Sequence, residues 1–192
     1  MDHSKVEIDL VTARLGRSVF TQPLRELGIQ FYQLSGSTRR VLQNNKAFRS
    51  LLAERHYDVL HLNAYQGLSL TYLELARKMG VPIRIAHSHN TALRISPTKP
   101  LKLLIHNWAK IRYTKQATAL WACAEPAAEF LFSEKELDKR GYIFIQNGID
   151  TERFKFAPEV RNIMRTELQL EEKFVIGNVG RLCFQKNQEF LL

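Results

Sequence analysis

Short apolar runs alternate with helix-like segments along most of the chain, and this alternation constrains the fold more than any other feature. Runs such as residues 83–87 combine apolar periodicity with β-branched side chains, which is typical of strands. A strand–helix–strand rhythm favours a parallel sheet with helices on both faces. We therefore predict an α/β fold with six strands in one sheet before residue 147, at residues 6–11, 30–34, 58–62, 83–87, 119–122 and 142–145.

Parallel sheets of this kind bind ligands beyond the carboxyl ends of their strands. The loops after His61, Ala86 and Ile145 are therefore candidate site loops. His87 and His89 are two residues apart at the end of a strand, so they are expected to share one face. They could chelate a metal ion with His61 as a third ligand, although no acidic residue lies close in sequence. They could equally be hydrogen-bonded histidines beneath a loop.

The strand–helix rhythm breaks after the sixth strand. Asn147 and Gly148 form a turn signal, which is either a plain turn or a hinge between two domains. A helix is predicted at about residues 159–168, and a seventh strand at residues 174–179 outside the first sheet. We therefore expect a first domain at residues 1–146, a linker at 147–158 and the start of a second domain at 159–192.

Two cations follow the predicted seventh strand. Gly180 and Arg181 end that strand, and Lys186 lies five residues beyond Arg181 at the mouth of a predicted helix. Cationic side chains and helix N-terminal amides both suit a diphosphate group. A plain surface turn is the alternative interpretation of the same residues.

The net charge of +9 allows an acidic partner but does not choose one. Nucleic acid, an anionic membrane face and a phosphorylated substrate would each suit a basic chain. The basic residues are scattered and do not alternate with aromatic ones, so no nucleic acid is expected. The polar opening residues, the lack of a long apolar run, and the widely spaced Cys123 and Cys183 predict a reduced, soluble, cytoplasmic protein.

Four motifs occur together in this order. They are Arg84-Ile85-Ala86-His87-Ser88-His89-Asn90, Trp121-Ala122-Cys123-Ala124-Glu125, Asn147-Gly148-Ile149-Asp150 followed by Phe154, and Gly180-Arg181-Leu182 followed by Lys186-Asn187. Each is weak alone, but their order and spacing resemble the retaining glycosyltransferases of family four, of the bacterial capsular and exopolysaccharide type.

This resemblance implies a GT-B fold, in which two Rossmann-like domains face each other across a cleft. Residues 1–146 would be the acceptor-side domain, and residues 159–192 the start of the nucleotide-sugar domain. His89, with His87 beside it, would be catalytic and contact the transferred sugar. Gly180, Arg181 and Lys186 would bind the donor phosphates, with Asn147 and Gly148 as the hinge.

The resemblance also implies the partners. The donor would be a nucleotide-sugar and the acceptor a sugar or lipid-linked saccharide, with no cofactor and no bound metal. An anionic membrane surface is a further expected partner, which would place the protein peripherally at the inner face of the membrane.

The chain departs from the family pattern in three respects. We expect it to lack the family's first strand with its glycine-rich loop, and its acidic donor motif would lie beyond Leu192. Ala124 stands where serine is usual, which removes a helix-capping hydroxyl. The expectation is a fragment that is inactive alone, and the alternative is an inactive remnant or interaction domain.

Overall fold

Six short strands form in the first 147 residues, and every pairing between them is parallel. They are β1 (Asp9–Thr12), β2 (Gln30–Gln33), β3 (Val59–Ala64), β4 (Ile83–Ser88), β5 (Ala119–Ala122) and β6 (Ile143–Phe144). The predicted α/β class is confirmed, since helices connect and flank these parallel strands as in a Rossmann-like domain.

The protein is described by a computed structural model that covers residues 5–16, 18–37, 39–93, 98–182 and 186–191. It separates into two compact units, residues 1–147 and residues 148–192. Cys183 lies outside the described residues, whereas Cys123 is a half-buried free thiol. Within the described part of the chain, no helix is both long and apolar enough to cross a membrane.

The helices of the first unit alternate with the strands. They are α1 (Thr21–Glu26), α2 (Val41–Glu54), α3 (Thr71–Lys78), α4 (Lys99–Tyr113), α5 (Glu125–Leu131) and α6 (Glu134–Arg140). Short 3-10 turns at Gly67–Leu70 and Thr114–Gln116 precede α3 and follow α4.

The prediction of one six-stranded sheet is wrong. β1 pairs with β2 in a two-stranded sheet, while β3, β4, β5 and β6 form a separate four-stranded sheet in that order. Residue alternation predicts that a segment is a strand, but it does not encode which strand lies beside it. Neighbours are decided by how the connecting helices pack, so the division into two sheets could not be read from the pattern.

A hydrogen-bonded cluster attaches the small sheet to the segment that leads into β3. The carboxylate of Asp9 in β1 accepts bonds from Arg55 Nη1 at 2.9 Å and Tyr57 Oη at 2.7 Å. Arg55 also contacts the hydroxyl of Tyr32 in β2. Burial, followed by the bond to Asp9, raises the pKa of Tyr57 above its usual range. This cluster holds both strands of the small sheet against the segment of Arg55 and Tyr57 that leads into β3.

The main core lies on one face of the four-stranded sheet. Alternate residues of β3, β4 and β5 point to this face and meet α3, α5 and Phe132; they include Ala64, Ala86, Leu120 and Ala122 from the strands and Leu73, Ala128 and Leu131 from the helices. Burial of each leucine or phenylalanine contributes roughly 1.5–3 kcal/mol. The opposite face of the same strands carries the alternate side chains, which include Asn63, His87 and Trp121.

His106 fixes α4 to its neighbours through both ring nitrogens. Its Nδ1 accepts a bond from the Gly67 amide at 2.9 Å, so its Nε2 carries the proton and donates to the Phe130 carbonyl at 2.8 Å. Desolvation by burial lowers the pKa of His106, which favours this neutral form. The backbone at Gly67 lies so close to α4 that an added Cβ would sit 2.3 Å from the His106 carbonyl oxygen.

The second unit contains α7 (Pro158–Glu167) and two short 3-10 turns, Glu152–Phe154 and Gln188–Leu191. None of its described residues is buried. The predicted seventh strand at residues 174–179 is wrong, because this segment has no regular structure. A strand is stabilised by pairing with a neighbour, and the described residues of this unit provide none.

We expect Gly67→Ala to lower the free energy of unfolding by roughly 1–3 kcal/mol, because a methyl group must displace the α4 backbone. Urea denaturation followed by circular dichroism measures the change. Gly16→Ala is the matched control, since a Cβ there meets nothing within 4 Å. Equal stability of the two variants would contradict the close packing of α4 on Gly67.

Candidate functional site

Polar and aromatic side chains occupy the face of the four-stranded sheet that lies opposite the core. In the parallel register, Asn63 of β3 pairs with His87 of β4, and His87 pairs with Trp121 of β5. His61 lies two residues before Asn63 and therefore shares its face. Three neighbouring strands thus bring together four polar or aromatic side chains, those of His61, Asn63, His87 and Trp121.

His61 and His87 are joined by their ring nitrogens. His61 Nε2 and His87 Nδ1 are 3.0 Å apart, and the two rings are nearly parallel with centroids 5.2 Å apart. The Trp121 ring stands edge-on to both, with centroid distances of 5.1 Å to His61 and 5.7 Å to His87. The aromatic contacts and the hydrogen bond together fix the orientation of both imidazoles.

His87 is held as a neutral ring. It is only 6% exposed, and its Nε2 is buried with no hydrogen-bond partner in the described part of the chain. Desolvation, and then the neighbouring His89 and His61, lower the pKa of His87 to about 4. Desolvation also lowers the pKa of His61. A proton on this pair is therefore disfavoured near neutral pH.

His89 lies just beyond β4 and is exposed. Its ring packs on His87 with centroids 4.0 Å apart. His89 Nε2 is 2.9 Å from Asn63 Oδ1, and because that oxygen only accepts, Nε2 carries the proton and donates. Nδ1 is therefore the ring nitrogen of His89 that is left for a ligand.

A second hydrogen bond joins the ends of β3 and β4. Asn90 Nδ2 donates to the carbonyl oxygen of Tyr65 at 3.3 Å, beside the bond between His89 and Asn63. The Tyr65 side chain is 66% exposed. Acceptor, amide and exposed aromatic groups at one sheet edge suit a ligand rich in hydroxyl groups, which donate and accept at once and can pack a ring on an aromatic face.

Sequence reasoning identified His87 and His89 and named Trp121 only within a family motif, but it missed Asn63, Tyr65 and the contact of Trp121 with the histidines. Asn63 carried a usable signal, because it lies near the carboxyl end of a predicted parallel strand. Trp121 carried none, because its contact with the histidines depends on the register between β4 and β5.

The histidine rings are arranged to contact one another and Asn63, and this arrangement bears on the metal-site interpretation. In the ranges that the structure covers, no three His, Cys, Asp or Glu side chains are grouped to hold a metal ion. His61 Nε2 points at Nδ1 of His87, 3.0 Å away, and not at a position where one metal ion could bind both nitrogens. His89 turns toward Asn63.

The predicted phosphate-binding residues lie close together in the second unit. A Cβ on Gly180 would be 3.6 Å from Cγ of Lys186, and Gln188 Nε2 donates to the Arg181 carbonyl at 2.9 Å. The described side chains of Arg181 and Lys186 are exposed. The intervening residues 183–185 lie outside the described residues.

The predicted hinge at Asn147 and Gly148 and the unusual alanine at position 124 each have a defined place in the structure. The boundary between the two compact units falls between Asn147 and Gly148, in a segment without regular structure. A Cβ on Gly148 would meet nothing within 4 Å. At the start of α5, Ala124 occupies the N-cap position and provides no side-chain hydrogen bond to the helix.

Residues 1–153 match the sequence profile of Glycosyltransferase Family 4. The whole chain is 29% identical over 196 aligned residues to the protein of Bacillus subtilis (strain 168) that is named "Putative glycosyltransferase EpsF", of which it covers 50%. Over 138 residues, or 71% of the chain, it is 30% identical to the UDP-Gal:alpha-D-GlcNAc-diphosphoundecaprenol alpha-1,3-galactosyltransferase of Escherichia coli, of which it covers 35%. The chain therefore spans half the length of one relative and about a third of the other.

We expect the stability of the protein to fall as the pH is lowered from 6.5 toward about 4. The pKa of His87 is depressed in the folded state, so the unfolded chain binds more protons throughout this window and acidification favours unfolding. Thermal denaturation at a series of pH values measures the effect. His87→Asn should weaken the dependence, whereas His56→Gln, which removes an exposed histidine outside the cluster, should leave it. A dependence unchanged by His87→Asn would show that His87 is not held neutral.

Proposed function

This chain belongs to glycosyltransferase family 4, and from that premise we propose that it is part of an enzyme that transfers a sugar from a nucleotide-sugar to a hydroxyl group of an acceptor. We further propose that the transfer retains the configuration of the anomeric carbon and serves polysaccharide biosynthesis. The observation that carries the proposal is that the matched segment contains the polar cluster at the carboxyl ends of β3 and β4.

In this proposal the first unit provides the acceptor side of the site. His89 is the catalytic side chain that contacts the transferred sugar or the acceptor hydroxyl, because it is the exposed histidine that lies just beyond the carboxyl end of β4 and its Nε2 is already bonded to Asn63, which leaves Nδ1 for a ligand. His87 supports the His89 ring from below by direct packing. Asn63 fixes the His89 tautomer through its side-chain oxygen.

The second unit is proposed to bind the donor. Breaking the glycosidic bond leaves negative charge on the departing diphosphate, and fixed cations stabilise that charge. Arg181 and Lys186 take this role beside Gly180, where a Cβ would lie 3.6 Å from Cγ of Lys186. Rotation at Asn147 and Gly148 would allow the two units to close on the donor. The nucleotide-sugar is the donor substrate, and the proposal includes no further cofactor.

The acceptor is proposed to be a sugar or a lipid-linked saccharide. The name of the Escherichia coli relative specifies a GlcNAc carried on diphosphoundecaprenol. An acceptor of that kind is anchored in a membrane by its polyprenyl chain and presents a saccharide diphosphate at the surface. We therefore propose a cytoplasmic protein that works peripherally at the inner face of the membrane.

A second candidate is an inactive remnant or an interaction domain of the same origin. It is favoured by the second unit, in which none of the described residues is buried. Exposed cations such as Arg181 and Lys186 are solvated, and ion pairs of exposed side chains contribute only about 0–1 kcal/mol. For this reason we expect the 192-residue chain alone to give no turnover with any nucleotide-sugar.

Activity is best tested in a chimera. The 138 aligned residues of the Escherichia coli galactosyltransferase are replaced by those of this chain, and transfer from radiolabelled UDP-galactose to GlcNAc-diphosphoundecaprenol is measured. We expect turnover that His89→Ala reduces by roughly 100-fold in kcat, the lower end of the range for a lost acid–base group. His56→Gln is the matched control and should retain turnover.

Two results would contradict these assignments. Full turnover by the His89→Ala chimera would remove His89 from the chemistry. A folded chimera, as judged by circular dichroism, that transfers no galactose would favour the remnant over the enzyme.

A further inference from the structure

Helix α4 exposes a continuous apolar stripe. Leu101, Leu104, Trp108 and Ile111 are exposed by 61%, 68%, 56% and 70%, and Ile105 beside them by 40%. Their spacing of three or four residues places them along one side of the helix. Isolated exposed apolar residues are ordinary, but a contiguous stripe over the full length of a helix marks an interaction surface.

The opposite side of α4 is the side that the protein buries. His106 is 3% exposed and lies about half a turn away from Leu104 and Trp108, and Ala109 beside it on the buried side is 0% exposed. The two hydrogen bonds of His106 to Gly67 and Phe130 fix this buried side. Exposure of the stripe therefore follows from how α4 is anchored, since turning the stripe inward would break both bonds.

The charge of this segment is of one sign. Residues 99–116 contain no aspartate or glutamate, and they contain the basic residues Lys99, Lys102, Lys110, Arg112 and Lys115. Arg112 pairs with Glu74 at 3.3 Å, and Lys110 bonds to the Glu129 carbonyl. The exposed Lys102 lies near the start of α4, and the exposed Lys115 lies in the 3-10 turn that follows its end. A basic helix with leucine, isoleucine and tryptophan on its outer side is typical of helices that lie in a membrane interface.

We propose that α4 binds an anionic lipid surface, with its apolar stripe in the headgroup–acyl boundary and its lysines against the lipid phosphates. This inference rests on the proposed function in one respect: an enzyme that uses a lipid-linked acceptor has to reach that acceptor at a membrane surface. α4 packs on the core side of the sheet through His106, and it follows the loop that leaves the carboxyl end of β4 at His89, which is the edge that carries the candidate site. Docking of α4 would bring that edge to the surface where a saccharide diphosphate is presented.

The test is sedimentation of the full chain with vesicles, in the absence of any nucleotide-sugar. We expect binding to vesicles of phosphatidylglycerol and phosphatidylcholine that weakens as salt is raised, and little binding to phosphatidylcholine alone. Trp108 emission should shift to the blue when the vesicles bind, and Trp121→Phe should preserve that shift.

Leu104→Glu and Trp108→Ala should each weaken vesicle binding by at least about tenfold, because each removes apolar area from the interface. Leu42→Glu on α2 is the matched control, since Leu42 is 85% exposed but lies outside the stripe. Binding that is lost equally in the control, or unchanged in both stripe variants, would overturn the proposal. A dimer in solution that the stripe variants convert to monomers, without vesicle binding, would instead assign the stripe to a second copy of the chain.

The outcome is separable from the proposed enzymatic activity. Vesicle binding without galactose transfer by the chimera would retain the membrane surface and remove the proposed function. Galactose transfer by the chimera without any vesicle binding by the chain would retain the proposed function and remove the membrane surface.

Discussion

The parallel register of β3, β4 and β5 is the constraint on which the rest of the first unit depends. It aligns Asn63, His87 and Trp121 across three strands, and the same alignment turns Ala86, Leu120 and Ala122 toward the helices. Because side chains alternate along a strand, a slip of one residue would exchange the two faces. The apolar core and the polar cluster are therefore fixed by a single pairing pattern, and neither could move without the other.

Sequence periodicity predicted the six strands of the first unit, since strand formation there follows from local residue type. His87 and His89 were identified because a histidine pair at the end of a strand is visible in the sequence. The part that Asn63 and Trp121 play was not visible, because it depends on which strands are neighbours. Residues 174–179 show the same limit, since their β-branched pattern is that of a strand but the described second unit contains no strand to pair with.

His106 links the stability of the fold to the placement of the functional surfaces. Its ring joins α4 to the 3-10 turn after β3 and to α5, so the helix is held by the same framework that carries the histidine cluster. Within the first unit, a saccharide at His89 and a lipid surface on α4 would meet rigidly connected elements. Such an arrangement would let a membrane-bound acceptor reach the site without requiring the helix to move.

The proposed role of the cluster depends on His89, held in place by His87 and Asn63, contacting the saccharide part of an acceptor. The most direct test is NMR of the protein with ring-labelled histidines, titrated with a water-soluble GlcNAc-diphosphate that carries a short alkyl chain. We expect saturable shifts of the His89 imidazole resonances, smaller shifts of His87, and none of His106, which is buried on the core side of the sheet. Unchanged His89 resonances, while resonances elsewhere in the protein shift and saturate, would contradict it.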